Sequence, residues 1–190
     1  MKQIDLNRVA REAQHSQKSL DKLFHKIYPM IWHYYKIRVN SQEDAEDLTQ
    51  NACMKVVKNL HRFDEKKGAF ISWMYRVIQN MLYDFFRLKK LPMEDLDIQL
   101  LDETTTPLDE IIKEEDRIKL KEALKNIGAR QREILEMKYF FYMKNKEIAK
   151  TLDIKEKTVS SLVCRAIESL QNYFKSTKFS DAKGMVYEKD

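Results

Sequence analysis

Lys144-Asn-Lys-Glu-Ile-Ala-Lys-Thr-Leu152, then Asp153-Ile-Lys155, then Glu156-Lys-Thr-Val-Ser-Ser-Leu-Val-Cys-Arg-Ala-Ile167 is the stretch that decides the fold. Ile148, Ala149 and Leu152 recur at helical spacing, and Val159, Val163, Ala166, Ile167, Leu170 and Phe174 do so again beyond a three-residue break. Ala149 is small enough for a second helix to cross close to the first, and Ile154 plugs the turn. This pattern predicts a helix-turn-helix whose second helix has a free N-terminal end, able to enter a DNA major groove. Lys155, Lys157, Thr158, Ser160, Ser161 and Arg165 lie on the free side, with Lys144 at the start of the first helix. By chemistry they are ligands for phosphates and base edges. A plain helical hairpin is the competing reading of the same spacing.

Outward from this motif, helices are expected at Arg117–Ile127 and Ala129–Phe140, and the second helix of the motif is expected to end near Phe174. From Lys175 the tail is polar and is expected to fray. Upstream, 91–116 holds two of the three prolines, a threonine run at 104–106, and ten acidic residues against one basic. That is linker composition. Fully extended, 26 residues span roughly 85 Å at about 3.3 Å each. Residues 1–90 and 117–190 each carry 17 basic and 10 acidic residues, so two basic blocks flank an acidic one. Basic blocks suit a polyanionic partner, although a solvated helix surface accounts for an excess of this size as well.

The N-terminal block predicts four helices. The first is Asp5–Gln14, with Leu6, Val9, Ala10 and Ala13 on one side. The second is Ser19–Arg38, with Leu20, Leu23, Phe24, Ile27, Ile31 and Tyr34 as its stripe and Pro29 inside it. Ser41 caps the third, which runs to Leu60 and buries Ala45, Leu48, Ala52, Val56 and Leu60. The loop His61-Arg-Phe-Asp-Glu-Lys-Lys-Gly68 follows, then a fourth helix over Ala69–Lys90. The inner face of that helix is read as Phe70, Trp73, Met74, Val77, Ile78, Met81, Leu82 and Phe85. Its outer face carries Arg76, Gln79, Asn80, Tyr83, Arg87 and Lys90. Cations for phosphates, amides for base edges and a ring for stacking suit DNA whose strands are opening. His61, Arg62, Phe63, Lys66 and Lys67 in the loop add aromatic and basic groups that could hold a flipped base. An ordinary polar face is the readier explanation of the helix taken alone.

No strand alternation and no internal repeat is visible, so the fold class is all-α, two small helical domains joined by the acidic segment. With 3 glycines and no phosphate-binding loop, metal-ligand spacing or nucleophile elbow, the chain does not read as an enzyme. No catalytic residue, metal, cofactor or small-molecule substrate is expected. His15, His25, His33 and His61 share no metal-ligand spacing. Cys53 and Cys164 read as small core or boundary residues, and Trp32 and Trp73 as core. No apolar run of about 18 residues is present, so no membrane span is expected. With no apolar core for a signal peptide at Met1–Asn7, the expectation is cytoplasmic.

Across both blocks the chain resembles the extracytoplasmic-function type of bacterial sigma factor. The residues that carry the resemblance are Asp44-Ala-Glu-Asp-Leu-Thr-Gln50, Phe63-Asp64 with Gly68, Phe70 with Trp73, Tyr75-Arg76 and Asn80. The second block adds Gln131-Arg-Glu-Ile-Leu135, Glu147-Ile-Ala149, Thr158-Val159 and Arg165-Ala166. The resemblance implies that 1–90 docks on core RNA polymerase through Asp44, Glu46, Asp47 and Gln50, and recognises and melts the minus-ten promoter element with the loop and fourth helix. It implies that 117–175 reads the minus-thirty-five element, that 91–116 threads polymerase channels, and that an anti-sigma factor acts as inhibitor. Asp153 stands where such proteins usually have Gly, and Lys155 where a small hydroxyl usually caps the recognition helix. Promoter DNA and core polymerase are thus the expected partners. The alternatives are a stand-alone helix-turn-helix regulator of duplex DNA and a mimic that sequesters an anti-sigma factor.

Overall fold

The computed structural model describes the backbone of residues 5–89 and 114–184, with side chains to Phe174 and two residues beyond, except near the start of the second half. Lys90 and residues 91–113 of the expected linker lie outside the described residues. Every described element is a helix or turn, with no strand among the described residues. In chain order they are α1 (Leu6–Ala13), α2 (Gln17–Lys36), α3 (Gln42–Lys58), a 3-10 turn (Leu60–Arg62) and α4 (Phe70–Lys89). After the linker come α5 (Glu114–Lys125), α6 (Ala129–Leu135), a π turn (Glu136–Phe140), α7 (Asn145–Leu152) and α8 (Glu156–Gly184).

Local chemistry sets the helix starts. Asp5 accepts from the backbone N–H of Asn7 and Arg8, Ser16 from Ser19, and Ser41 from Asp44, so orphan donors at the first turns of α1, α2 and α3 are satisfied. At α6 and α7 the cap works in reverse: Gln131 and Glu147 accept from the backbone N–H of Gly128 and Lys144.

Two boundaries differ from the sequence reading by more than two residues. α5 is helical from Glu114, so it takes in residues 114–116, which the sequence reading gave to the linker. α8 continues to Gly184, past the expected end near Phe174. Polar composition alone does not stop a helix, and no proline or glycine precedes Gly184 there.

α1, α2, α3 and α4 enclose a core in which Leu23, Ile27, Ile31, Ala52, Val56, Phe70 and Ile78 are fully buried. The predicted α3 stripe, Ala45, Leu48, Ala52, Val56 and Leu60, is buried throughout, joined by Thr49, whose hydroxyl donates to the Ala45 carbonyl at 2.7 Å. Tyr35 donates its hydroxyl to the Ile78 carbonyl at 3.0 Å, tying α2 to α4. The buried face of α4 is turned relative to the expectation: Ile71, Tyr75 and Phe86 are buried, while Trp73, Val77, Met81 and Phe85 are half-buried. The cause is that Tyr75 is covered by Tyr34 and by Phe141 of the second half. Trp32, read as core, is also half-buried.

The second half contributes Ile134, Met137, Phe141, Met143, Ile148, Ala149, Val159 and Val163 to the same apolar cluster as the first. A small separate cluster, Ile127, Leu135 and Ala166, closes α6 against α8. The two halves therefore lie packed on each other.

Of the two cysteines, Cys53 is buried and Cys164 exposed, so Cys164 is a surface residue rather than the core or boundary residue expected. Burial pushes the Cys53 thiol up to about 11. The neutral thiol is the form the fold favours, so this contribution is present below the ordinary thiol range and is lost as pH rises towards that value. Alkylation of the native chain at pH 8 should label Cys164 and spare Cys53 until denaturant is added, read by intact mass. Tyr35→Phe should lower unfolding free energy by about 1 kcal/mol in a denaturant titration.

Candidate nucleic-acid and polymerase interfaces

The loop ahead of α4 is held from below by α1. Gln14 donates from Nε2 to the carbonyls of Leu60 and Phe63, both at 2.9 Å. Asn7 accepts from the backbone N–H of Phe70 at 2.7 Å, supplying the first turn of α4 with a cap from another helix. Asp64 accepts from the Lys66 N–H and anchors the turn that ends at Gly68, where φ is 157°, a setting that side-chain-bearing residues rarely adopt. Phe63, expected among the DNA ligands, is buried edge-on against Phe70 and near Trp73, where it anchors the loop. His61, Arg62, Lys66 and Lys67 stand exposed around it.

Along α4, Arg76, Asn80, Tyr83 and Arg87 are exposed and Gln79 is half-buried. Arg87 pairs with Asp84 at 2.8 Å on the surface. Two residues of this face engage the second half: Arg76 donates to the Lys150 carbonyl at 2.6 Å, and Gln79 to the Glu133 carboxylate at 3.2 Å. Lys150 in turn donates from Nζ to the Lys67 carbonyl. Burial, and then the nearby Glu133 carboxylate, push the Tyr83 phenol upward, so it stays neutral.

α3 presents Asp47 and Gln50 to solvent, with Asp44 and Glu46 partly covered on the same element. Asp44 takes a two-pronged contact from the Lys89 ammonium at 2.8 and 2.6 Å, and Glu46 accepts from Gln42. Beside this strip, Phe24 and Met54 are exposed over a groove of about 320 Å³ between α2 and α3. Phe24 was placed in the α2 stripe by its spacing, which cannot distinguish the rim of a stripe from its centre.

In the second half, Lys144, Lys155, Lys157, Thr158, Ser160, Ser161 and Arg165 are all exposed. α7 ends at Asp153 in the left-handed conformation, φ 53° and ψ 49°, which lets α8 leave at the angle of a helix-turn-helix. The N-terminal turn of α8 is bonded through Thr158 and Val159 N–H to the Lys155 carbonyl. Asn145 donates to Ser160 at 3.0 Å and accepts from Lys138 at 2.6 Å, coupling α8 to α7 and the π turn.

Among the described residues one ion pair is buried on both sides. Arg38, just past α2, donates from Nη1 and Nη2 to the two Glu136 oxygens at 2.9 and 2.5 Å, with both side chains under a tenth exposed. Its guanidinium also donates to the Tyr34 carbonyl and lies 3.9 Å from the Tyr34 ring. Burial alone would loosen the arginine proton, but Glu136 outweighs it, and Arg38 stays charged. These residues are 98 apart in the chain, and each reads as surface by its charge.

A family model described as Sigma-70 region 2 matches residues 23–91, and one described as Sigma-70, region 4 matches residues 117–170. SigZ of Bacillus subtilis, an RNA polymerase sigma factor, is 28% identical over 148 residues, spanning 77% of this chain and 82% of that one. The extracytoplasmic-function sigma factor SigW of Bacillus subtilis is 24% identical over 163 residues, spanning 80% and 82%. BldN of Streptomyces coelicolor is 20% identical over 152 residues; the match spans 78% of this chain and 58% of BldN. Solved structures share the fold: CnrH in complex with the cytosolic domain of CnrY has a TM-score of 0.57 at 18% identity, covering 90% of this chain and 97% of that one. RpoE of Bartonella quintana, solved with the anti-sigma factor NepR, has a TM-score of 0.60 at 20% identity, covering 83% and 98%. The region 2 and region 4 matches, in order along the chain, define a sigma factor of the sigma-70 class. Within that class, the chain belongs to the extracytoplasmic-function type of RNA polymerase sigma factors.

Asp153→Val should destabilise the second half by about 1–2 kcal/mol, because a β-branched residue is strained at positive φ, whereas Asp153→Gly should be tolerated. Thermal melts followed by circular dichroism report both.

Proposed function

We propose that the chain is a promoter-specificity subunit that joins core RNA polymerase and directs it to a restricted set of promoters, without a catalytic step of its own. Residues 1–90 dock on polymerase and open the minus-ten element, 117–175 reads the minus-thirty-five element, and the acidic residues of 91–116 occupy a basic nucleic-acid channel of the polymerase. The observation that carries this reading is the presence, in one chain, of two differently built surfaces for nucleic acid. One is a loop and helix face of cations, amides and a neutral tyrosine, suited to unpaired bases. The other is an exposed helix start of lysines and small hydroxyls beyond a left-handed turn, suited to a duplex groove. A stand-alone duplex-binding regulator makes no use of the first surface.

The polymerase-docking residues are Asp44, Glu46, Asp47 and Gln50 on α3. Minus-ten contacts fall to His61, Arg62, Lys66, Lys67, Arg76, Gln79, Asn80, Tyr83 and Arg87, with Phe63 supporting the loop. Minus-thirty-five contacts fall to Lys144, Lys155, Lys157, Thr158, Ser160, Ser161 and Arg165. Work on chromosomal DNA makes the cytoplasm its place. Among the described residues no helix is long and apolar enough to cross a membrane. An anti-sigma factor that covers these surfaces is the partner expected to hold the protein inactive.

Co-purification with core polymerase tests the docking assignment: Asp47→Lys with Gln50→Ala should lower polymerase affinity at least about tenfold while the helix content stays unchanged. Lys157→Ala and Arg165→Ala should leave polymerase binding intact, weaken holoenzyme on duplex promoter DNA, and flatten its salt dependence by about one unit of slope per lost phosphate contact. Unchanged polymerase affinity in the first variant would remove α3 as the docking element.

A further inference from the structure

Among the described residues two that are not glycine sit at positive φ, Asp153 at 53° and Tyr142 at 54°. A short polar side chain such as that of Asp153 tolerates this setting, whereas a bulky one is strained there. Tyr142 is held in it by its neighbours. Phe141 and Met143 are buried, at 2% and 1% exposed, and the Met143 N–H donates to the Met137 carbonyl at 2.9 Å. With both neighbours fixed in the core, the chain turns at 142 and leaves the Tyr142 side chain outside, 57% exposed. Its hydroxyl and ring meet no bonding partner among the described residues. Glycine would make the same turn without strain, so folding alone does not account for a tyrosine here.

Tyr142 lies two residues ahead of Lys144, the cap of α7, which is the first helix of the helix-turn-helix. Asn145, donating to Ser160 at 3.0 Å, sets this end of α7 beside the first turns of α8. In such a motif the first helix crosses a DNA strand while the second enters the groove. The backbone at the start of α7 has little to offer that strand. The Glu147 carboxylate accepts from the Lys144 N–H at 2.8 Å and brings a negative charge to the same place. A phosphate there has to be held by side chains that reach past Glu147. We infer that Tyr142 is a phosphate ligand, its hydroxyl donating, together with Lys144, to the promoter strand that flanks the groove read by α8. This rests on the assignment of 117–175 to duplex DNA. The strain at 142 is then retained at a binding residue, where folding alone favours glycine. A neutral phenol displaces no counterion on binding, unlike the Lys144 ammonium, so its contact persists at salt concentrations that weaken the lysine contacts.

The test uses holoenzyme, the full chain with core polymerase, on a duplex promoter fragment from upstream of a start site that the protein creates. Affinity is measured across a salt series, individual phosphates are probed by ethylation interference, and the free chain is melted by circular dichroism. Tyr142→Gly should keep or raise the melting temperature, by up to about 3 °C. It should nevertheless weaken promoter binding about tenfold, the loss expected of one hydrogen bond to a charged group. That loss should be the same at every salt concentration, and interference should vanish at one phosphate beside the minus-thirty-five element. Tyr142→Phe, which keeps the ring and the strain, should melt as wild type and lose the same phosphate and most of the same affinity. Lys144→Ala should instead flatten the salt dependence by about one unit of slope. Wild-type affinity or an unchanged interference pattern in Tyr142→Phe would overturn the inference, as would a change in its salt slope. A lower melting temperature in Tyr142→Gly would overturn the strain argument, and Tyr142→Phe then decides the contact in a chain of native stability. Lys157→Ala separates this inference from the reading it rests on. If Lys157→Ala weakens promoter binding and the Tyr142 variants do not, the phosphate contact alone falls. If Lys157→Ala and Arg165→Ala have no effect, or wild-type holoenzyme binds no promoter, the duplex-reading assignment falls and takes the contact with it.

Discussion

The arrangement depends on one buried ion pair, Arg38 with Glu136. An arginine with under a tenth of its side chain exposed is tolerable only if its donors are matched, and here two go to one carboxylate and one is shared with the Tyr34 carbonyl. The pair joins the end of α2 to the π turn. Around it Tyr34, Tyr75 and Phe141 pack edge to face, and burial holds both phenols far above their usual range and thus neutral. An extra residue in the turn of helix at 136–140 allows Glu136 and Phe141 to face the same side. Remove one partner and the other charge is left buried among the apolar groups, Ile134, Met137, Phe141 and Met143, that the second half packs into the shared core.

The exposed start of α8 stands beyond the left-handed turn at Asp153. The loop ahead of α4, pinned by Gln14 and Asn7 of α1, makes with the outer face of α4 a second, composite surface. On α3, Asp44 is tied to Lys89 of α4, whereas Asp47 and Gln50 face solvent.

Much of this was legible in the sequence. Ser41 capped α3 as its spacing indicated, the α3 stripe was buried residue for residue, and Asp153 took the left-handed setting that its position required. Local rules suffice there because each effect is decided within one or two turns. They fail where a distant element intervenes. Tyr75 and Phe86 lie off the stripe read for α4, yet both are buried, Tyr75 because Phe141 arrives from the other half. Phe63 looked like a ligand in a basic loop, whereas apolar neighbours from α4 draw it inward. Arg38 and Glu136 read as surface because charge predicts exposure, and a match between two charges 98 residues apart leaves no local trace.

The central claim is that this chain confers promoter choice on RNA polymerase. The most direct test is run-off transcription from a genomic DNA library by core polymerase of the source organism, with and without the protein. New start sites that appear only with the protein and share two spaced upstream elements are the expected result. No new start sites, together with specific duplex binding by the protein alone, would contradict it and leave a stand-alone regulator in its place.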